Sequence, residues 1–75
     1  MPYIAIKSYP KDEETRKRFV DKVYEDMKEI LGVPDKAITI SYEFIEPERW
    51  QESVVKKEVE PRMDSVMVLS GEKRY

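Results

Sequence analysis

The chain contains neither cysteine nor histidine, and this absence limits how 75 residues can reach a stable fold. Disulfides are excluded, and the ligands that most zinc and haem sites use are missing. A chain of this length forms a single domain with a modest hydrophobic core, and such domains commonly need a covalent staple or a partner subunit. The carboxylates show no spacing typical of a metal cage. We therefore expect one domain over residues 1–75, no cofactor, and stabilisation by self-association.

Charge and hydropathy limit the partners of the chain. Fourteen Lys and Arg residues face 16 Asp and Glu residues, so the net charge of -2 gives no electrostatic case for binding nucleic acid. No apolar run approaches the length of a membrane span. The first residues lack the basic region and apolar stretch of a signal peptide. We expect a cytoplasmic protein with neither a nucleic-acid nor a membrane partner.

The first 45 residues carry the periodicity of a strand, a helix and a second strand. Residues 2–8 alternate in polarity, and residues 37–45 do so again, which is typical of strands. Between them apolar residues recur at helical spacing, with Asp12 as a candidate N-cap and Gly32 as a left-handed C-cap. The polar face of this helix, which we expect to be solvated, comprises Arg16, Lys17, Lys22, Glu25, Asp26 and Glu29.

A strand-helix-strand unit of this length has parallel strands and a right-handed crossover. Two parallel strands alone do not make a stable sheet, and their open edges need a partner. We expect a second subunit to complete a larger sheet. This expectation agrees with the argument from chain length.

The remaining 30 residues predict a short helical segment. Pro47 suits the first turn of a helix, and Trp50 and Val54 give that helix an apolar side. Pro61 breaks or kinks it, and apolar residues continue the stripe as far as Leu69. Gly71 then marks a stop. This half is short for an independent core, so we expect it to pack on a partner subunit.

Few residue types in this chain can perform chemistry. Without His or Cys there is no Ser-His or Cys-His pair, and two glycines make no phosphate loop. Pro2 is the unusual candidate, because removal of Met1 would leave a secondary amine at the chain terminus. An ordinary α-amino group titrates at about 7.7–8.0, and desolvation or a nearby cation lowers that pKa towards the value that suits a general base. Simple N-terminal processing is the ordinary interpretation of Pro2.

Several stretches together resemble the short-chain members of the tautomerase superfamily, the 4-oxalocrotonate tautomerase type. They are Pro2-Tyr3-Ile4-Ala5-Ile6, Ile6-Lys7 with Pro10-Lys11, Ile45-Glu46-Pro47-Glu48-Arg49-Trp50-Gln51 and Glu58-Val59-Glu60-Pro61-Arg62-Met63. Within that type, the chain is most similar to the bacterial phenylpyruvate tautomerase subgroup. The resemblance implies an α/β fold: a β-α-β subunit with a short C-terminal helical segment, whose sheet a partner subunit completes. It implies a homodimer, whereas the shorter archetype is a hexamer.

The resemblance also implies keto–enol isomerisation of a 2-oxo acid such as phenylpyruvate, with Pro2 as the base. Lys11 falls where relatives carry an Arg that meets the substrate carboxylate, and Lys keeps the charge but loses the bidentate fork. Thr39 falls where the archetype has a second Arg, which favours a monocarboxylate substrate. Trp50 falls near an aromatic residue that lines the archetype's pocket, although Trp is also a common core or interface anchor.

The sequence also allows other interpretations of the cations and of the activity. Arg49 and Arg62 are alternative cations, although surface residues are the more ordinary interpretation of both. Some superfamily members hydrate, dehalogenate or decarboxylate unsaturated acids with the same proline. A catalytically silent interaction protein is the remaining alternative, because the Pro2 nitrogen is an amide wherever Met1 is retained. Tyr3 either points into a pocket beside Pro2 or covers the sheet.

Overall fold

The structure is a computed structural model that describes residues 1–75, and its chain divides into two compact units, Met1–Ile45 and Glu46–Tyr75. The elements of the first unit are strand β1 (Tyr3–Ser8), helix α1 (Glu13–Leu31), a 3₁₀ turn (Asp35–Ala37) and strand β2 (Thr39–Phe44). This order confirms the predicted β-α-β subunit. No helix is both long enough and apolar enough to cross a membrane.

The two strands of the first unit run parallel, as predicted, and pair from Tyr3 opposite Thr39 to Ser8 opposite Phe44. Side chains alternate between an exposed and a half-buried face along β2 and in β1 as far as Ile6, after which Lys7 and Ser8 are both half-buried. Helix α1 covers the half-buried face on the β2 side. The second strand begins later than residue 37. The Ile38 N–H donates to the Asp35 carbonyl at 3.1 Å, and this bond holds Ala37 in a turn.

Both ends of α1 are capped by the residues that the sequence predicts. The Asp12 carboxylate accepts hydrogen bonds from the backbone N–H of Thr15 at 3.3 Å and from the Thr15 hydroxyl. At the other end Gly32 has a φ of 66°, a left-handed conformation in which its N–H reaches the Lys28 carbonyl at 3.1 Å. These bonds satisfy backbone groups that a helix end leaves unpaired.

The prediction that the polar face of α1 is solvated is wrong at Arg16. Its side chain is only 28% exposed, because it lies against β2 instead of in water. One guanidinium nitrogen donates to the Tyr42 carbonyl at 3.3 Å, and the guanidinium carbon is 4.4 Å from the centre of the Phe44 ring. Another nitrogen pairs with Glu13. The long apolar stem lets a cation occupy a half-buried position while its charged end stays paired.

The hydrophobic core is small. Met27 and Val54, with 4% and 6% exposure, are the buried apolar residues of the chain. Phe19 and Ile30, which have the apolar spacing of the helix, remain 50% and 75% exposed. Much of the apolar surface of α1 is therefore in contact with water in the isolated chain.

The second unit begins with helix α2 (Pro47–Trp50), which continues as a π-helical segment (Gln51–Val59) and a 3₁₀ segment (Glu60–Ser65). The Glu60 N–H donates to the Val55 carbonyl five residues back, which is the hydrogen-bond spacing of a π-helix. The predicted break at Pro61 is confirmed: regular helical geometry is lost at the next residue, Arg62.

The predicted helical stripe as far as Leu69 is wrong, because the chain forms a hairpin instead. Strands β3 (Val68–Leu69) and β4 (Glu72–Lys73) pair antiparallel around Ser70 and Gly71. Both turn residues have positive φ, 50° and 85°. Two consecutive residues of this kind form the tight turn that matches the twist of paired strands.

The cap of α1 predicts a specific acid sensitivity. The hydrogen bond from the Thr15 side chain is the main cause that lowers the pKa of Asp12 from its ordinary value of 3.8. A lowered pKa stabilises the folded state above the ordinary value, and this contribution is lost as the pH falls through the folded-state pKa. We expect the melting temperature of the wild type to fall more steeply in acid than that of Asp12→Asn, whose cap does not titrate. Parallel melting curves across the acid range would contradict the assignment.

The half-buried position of Arg16 predicts a measurable loss of stability. Arg16→Met removes the bond to the Tyr42 carbonyl and the contact with the Phe44 ring, so the free energy of unfolding should fall by about 1–2 kcal/mol. Urea denaturation at fixed protein concentration measures the change. Lys17→Met is the matched control, since Lys17 is exposed on the same turn. Equal stability of the two variants would show that Arg16 contributes no more than a surface charge.

Candidate active site

Pro2 lies half-buried immediately before β1. Its carbonyl accepts a hydrogen bond from the Thr39 N–H at 3.2 Å, which fixes the residue beside the first position of β2. Met1, in contrast, is 98% exposed. Loss of Met1 therefore removes no buried contact, and the bond that anchors Pro2 does not involve it.

The end of the sheet that carries Pro2 presents neutral hydroxyl groups. Tyr3 and Thr39 are register partners on the exposed face, and the Tyr3 hydroxyl lies 3.4 Å from the hydroxyl of Ser41. Tyr3 is 63% exposed. No group of three or more Asp or Glu side chains is arranged to hold a metal ion. These hydroxyls can hydrogen-bond a ligand oxygen, but they supply no charge to a carboxylate.

Lys36 is a cation at the Pro2 end of the sheet that the sequence argument did not single out. It lies exposed in the turn Asp35–Ala37, which leads directly into Thr39. Its sequence signal was weak, because an isolated Lys in a turn is ordinary. Only the parallel register places this turn near the start of β1.

Lys11 is exposed and lies at the other end of the sheet, between the last residue of β1 and the cap of α1. A six-residue strand with a rise of about 3.3 Å per residue separates its first and last residues by roughly 17 Å. One subunit therefore does not bring Pro2 and Lys11 to the same small substrate. Lys11 shares its end of the sheet with Arg16, whose guanidinium is already engaged by β2.

The other candidates belong to the C-terminal unit. Trp50 is the last residue of α2 and is half-buried, and its role in a pocket stays a prediction. Arg62 donates to the Lys57 and Glu58 carbonyls at 3.4 and 3.2 Å, so its guanidinium binds the end of the preceding π-helical segment. Arg49 is exposed.

Comparisons with known proteins identify relatives over almost the whole chain. No protein-family model matches it. Tautomerase PptA of Shigella sonnei is 30% identical over 73 residues, which cover 95% of this chain and 96% of the relative. Tautomerase PptA of Escherichia coli O127:H6 has the same identity and coverage. The protein of that name from Pectobacterium carotovorum subsp. carotovorum is 26% identical over the same length.

These matches span both compact units and leave almost no part of the relatives uncovered. They agree with the β-α-β order of the first unit and with the helical segment that follows it. The resemblance to the phenylpyruvate tautomerase subgroup is thereby confirmed. The chain belongs to the tautomerase superfamily, in the subgroup of the PptA tautomerases, and is an isomerase enzyme.

Proposed function

We propose that the chain catalyses keto–enol isomerisation of a 2-oxo acid of the phenylpyruvate type, with the Pro2 nitrogen as the base once Met1 is removed. Residues 1–75 act as one tautomerase domain and need no cofactor. The anchoring of Pro2 carries this proposal: its carbonyl is bound to the Thr39 N–H, while Met1 is 98% exposed. A base held on a strand is positioned for proton transfer, and Met1 can leave without disturbing it.

The reaction moves one proton between two atoms of the substrate. The neutral Pro2 nitrogen takes the proton of the enol hydroxyl, and the oxygen electron pair forms the carbonyl. The electron pair of the carbon–carbon double bond then takes the proton back from the Pro2 nitrogen at the neighbouring carbon. The base is regenerated and no electrons are gained or lost. A nearby cation and exclusion of water both lower the pKa of an amine, which keeps such a base neutral near pH 7.

The substrate carboxylate needs a cation, and we assign it to Lys11 of a partner subunit in a homodimer. Lys11 and Pro2 lie at opposite ends of β1. A two-fold partner that runs antiparallel has its Lys11 end beside this Pro2 end, and the reverse contact is generated by the same symmetry. Lys36 is the rival cation, because it lies at the Pro2 end of the same chain.

The substrate class follows from the remaining candidates. Thr39 offers a hydroxyl where a second guanidinium would favour a dicarboxylate, so a single carboxylate is the expected anchor. Trp50 supplies an aromatic surface on which a phenyl ring can stack and from which water is excluded. A hexamer built from such dimers is compatible with the same shared site.

Replacement of the base tests the proposal directly. On Met-free protein, Pro2→Ala leaves a primary amine, and kcat/KM for ketonisation of phenylenolpyruvate should fall by about 10²–10⁴-fold. Ultraviolet absorbance follows the reaction, and intact mass confirms the loss of Met1. The matched control is the wild-type sequence with Met1 retained, which should be equally impaired because its Pro2 nitrogen is an amide. Full activity in either protein would overturn Pro2 as the base.

A mixing experiment tests whether the site is shared between subunits. Lys11→Ala should raise KM by about tenfold or more, because a charge-assisted contact is lost, whereas Lys36→Ala should change KM little. Unfolding and refolding Pro2→Ala together with Lys11→Ala should return about one quarter of the wild-type sites, since half of the random dimers carry one intact site.

No recovery on mixing would place both residues in a site of one chain. A larger effect of Lys36→Ala than of Lys11→Ala would transfer the carboxylate contact to Lys36.

A further inference from the structure

The exposed face of the sheet carries two neighbouring hydroxyl groups, those of Tyr3 and Ser41. They lie 3.4 Å apart, and either oxygen can be the donor. Hydroxyl groups that bond each other well are separated by about 2.7–2.8 Å, so this contact is loose. Both residues are exposed, and Tyr3 keeps 63% of its surface open to water. The pair can therefore take up an oxygen atom of a ligand without losing a strong internal bond.

The side chain of Tyr3 extends along the sheet, away from the end that carries Pro2. Tyr3 is the register partner of Thr39, and Ser41 lies two residues farther along β2, opposite Ala5. The Tyr3 ring must therefore lean forward over the exposed face for its hydroxyl to reach Ser41. Of the two positions that the sequence allows for Tyr3, the structure shows the one on the sheet. The small side chain of Ala5 leaves open space beside the hydroxyl pair.

The hydroxyl pair lies at a distance from Pro2 that an aromatic ring can bridge. Ser41 is three positions farther along the sheet than Pro2, which precedes Tyr3. With about 3.3 Å per residue and about 4.8 Å between strands, the two backbones are roughly 11 Å apart. A proton-transfer contact and a hydrogen bond each take about 3 Å, which leaves about 5 Å for the ligand atoms between them. A benzene ring, between the carbon that receives the proton and an oxygen at the opposite ring position, fits this length.

We propose that Tyr3 and Ser41 determine substrate specificity by hydrogen-bonding a hydroxyl at the para position of the aromatic ring of the 2-oxo acid. This inference rests on the proposed function and extends it to the far end of the substrate. A phenolic hydroxyl is both donor and acceptor, so it can accept a hydrogen bond from one member of the pair and donate one to the other. The ring then lies over the exposed face beside Ala5, and the carboxylate points the opposite way, beyond the Pro2 end.

The exposure of the hydroxyl pair sets the size of the preference. A buried site that hydrogen-bonds a substrate hydroxyl rejects the analogue without it by several orders of magnitude, because polar groups of the site are left unpaired. Water reaches Tyr3 and Ser41, and it satisfies both hydroxyls when the ligand has none. A neutral hydrogen bond of this kind changes an equilibrium constant by up to about tenfold. We therefore expect a preference of about tenfold for the hydroxylated ring.

Three substrates test this preference on Met-free protein: phenylenolpyruvate and its para-hydroxy and para-methyl derivatives. The ratio of kcat/KM for the para-hydroxy to the unsubstituted substrate should fall by about threefold or more in Tyr3→Phe and in Ser41→Ala, since each loses one bond. The ratio is taken within one protein, so a loss of folded enzyme cancels. Tyr24→Phe, in α1, is the matched control and should leave the ratio unchanged. An equal response of the para-methyl substrate to the variants would show that the face offers only space.

Titration of unreactive acids separates this inference from the catalytic proposal. Wild-type protein should bind para-hydroxyphenylpropanoate about tenfold more tightly than phenylpropanoate, and Tyr3→Phe and Ser41→Ala should each reduce this ratio of dissociation constants. Protein NMR shifts measure both affinities. Ratios that stay unchanged in both variants would overturn the role of the hydroxyl pair. A protein without turnover would instead contradict the catalytic proposal, and the titration would still decide whether Tyr3 and Ser41 bind a phenolic hydroxyl.

Discussion

The parallel ladder between β1 and β2 is the constraint on which the rest of the first unit depends. It begins with the bond from the Thr39 N–H to the Pro2 carbonyl and extends to the bond from the Ile45 N–H to the Ser8 carbonyl. A parallel pair needs a long crossover, which α1 provides, and the crossover places the two ends of β1 in different surroundings. One end carries Pro2 with its neighbouring hydroxyls, and the other carries Lys11 and the start of the helix.

The distance between the two ends of β1 supports the proposal that two copies of the chain associate. The proposed site needs both a base and a cation, and one chain holds Pro2 and Lys11 too far apart for a small acid to contact both. The core is equally incomplete, with Met27 and Val54 as its buried residues. The proposed homodimer would serve both the proposed chemistry and the burial of apolar surface.

The sequence was sufficient to predict structure at positions where a residue type has one specific local role. Asp12 and Gly32 end α1 as predicted, because a short acceptor and a residue without a Cβ are specific solutions for the two ends of a helix. Pro2 was singled out by its chemistry as well, and its role as the base stays a prediction. Arg16 was wrongly assigned to the solvated face of α1 because it is charged. Its position in the helical repeat puts it on the same face as the buried residue Met27.

Other features depended on contacts that no local pattern reports. Lys36 became a candidate only because the strand register places its turn beside the start of β1. The apolar residues before Ser70 and Gly71 fit a helical pattern and a strand equally well, and the structure shows that they form a hairpin. The role of Trp50 was inferred from resemblance alone. A single sequence carries no direct signal for which residues of two copies meet.

The π-helical segment gives the C-terminal unit an unusual sensitivity to chain length. Its hydrogen bonds span five residues, as the bond from the Glu60 N–H to the Val55 carbonyl shows. Deletion of one residue would let the segment close into an ordinary α-helix, and everything beyond it would turn by about 100° around the axis. The hairpin would then point elsewhere relative to Trp50. Apart from the buried Val54, the segment should accept many substitutions in evolution while keeping its number of residues unchanged.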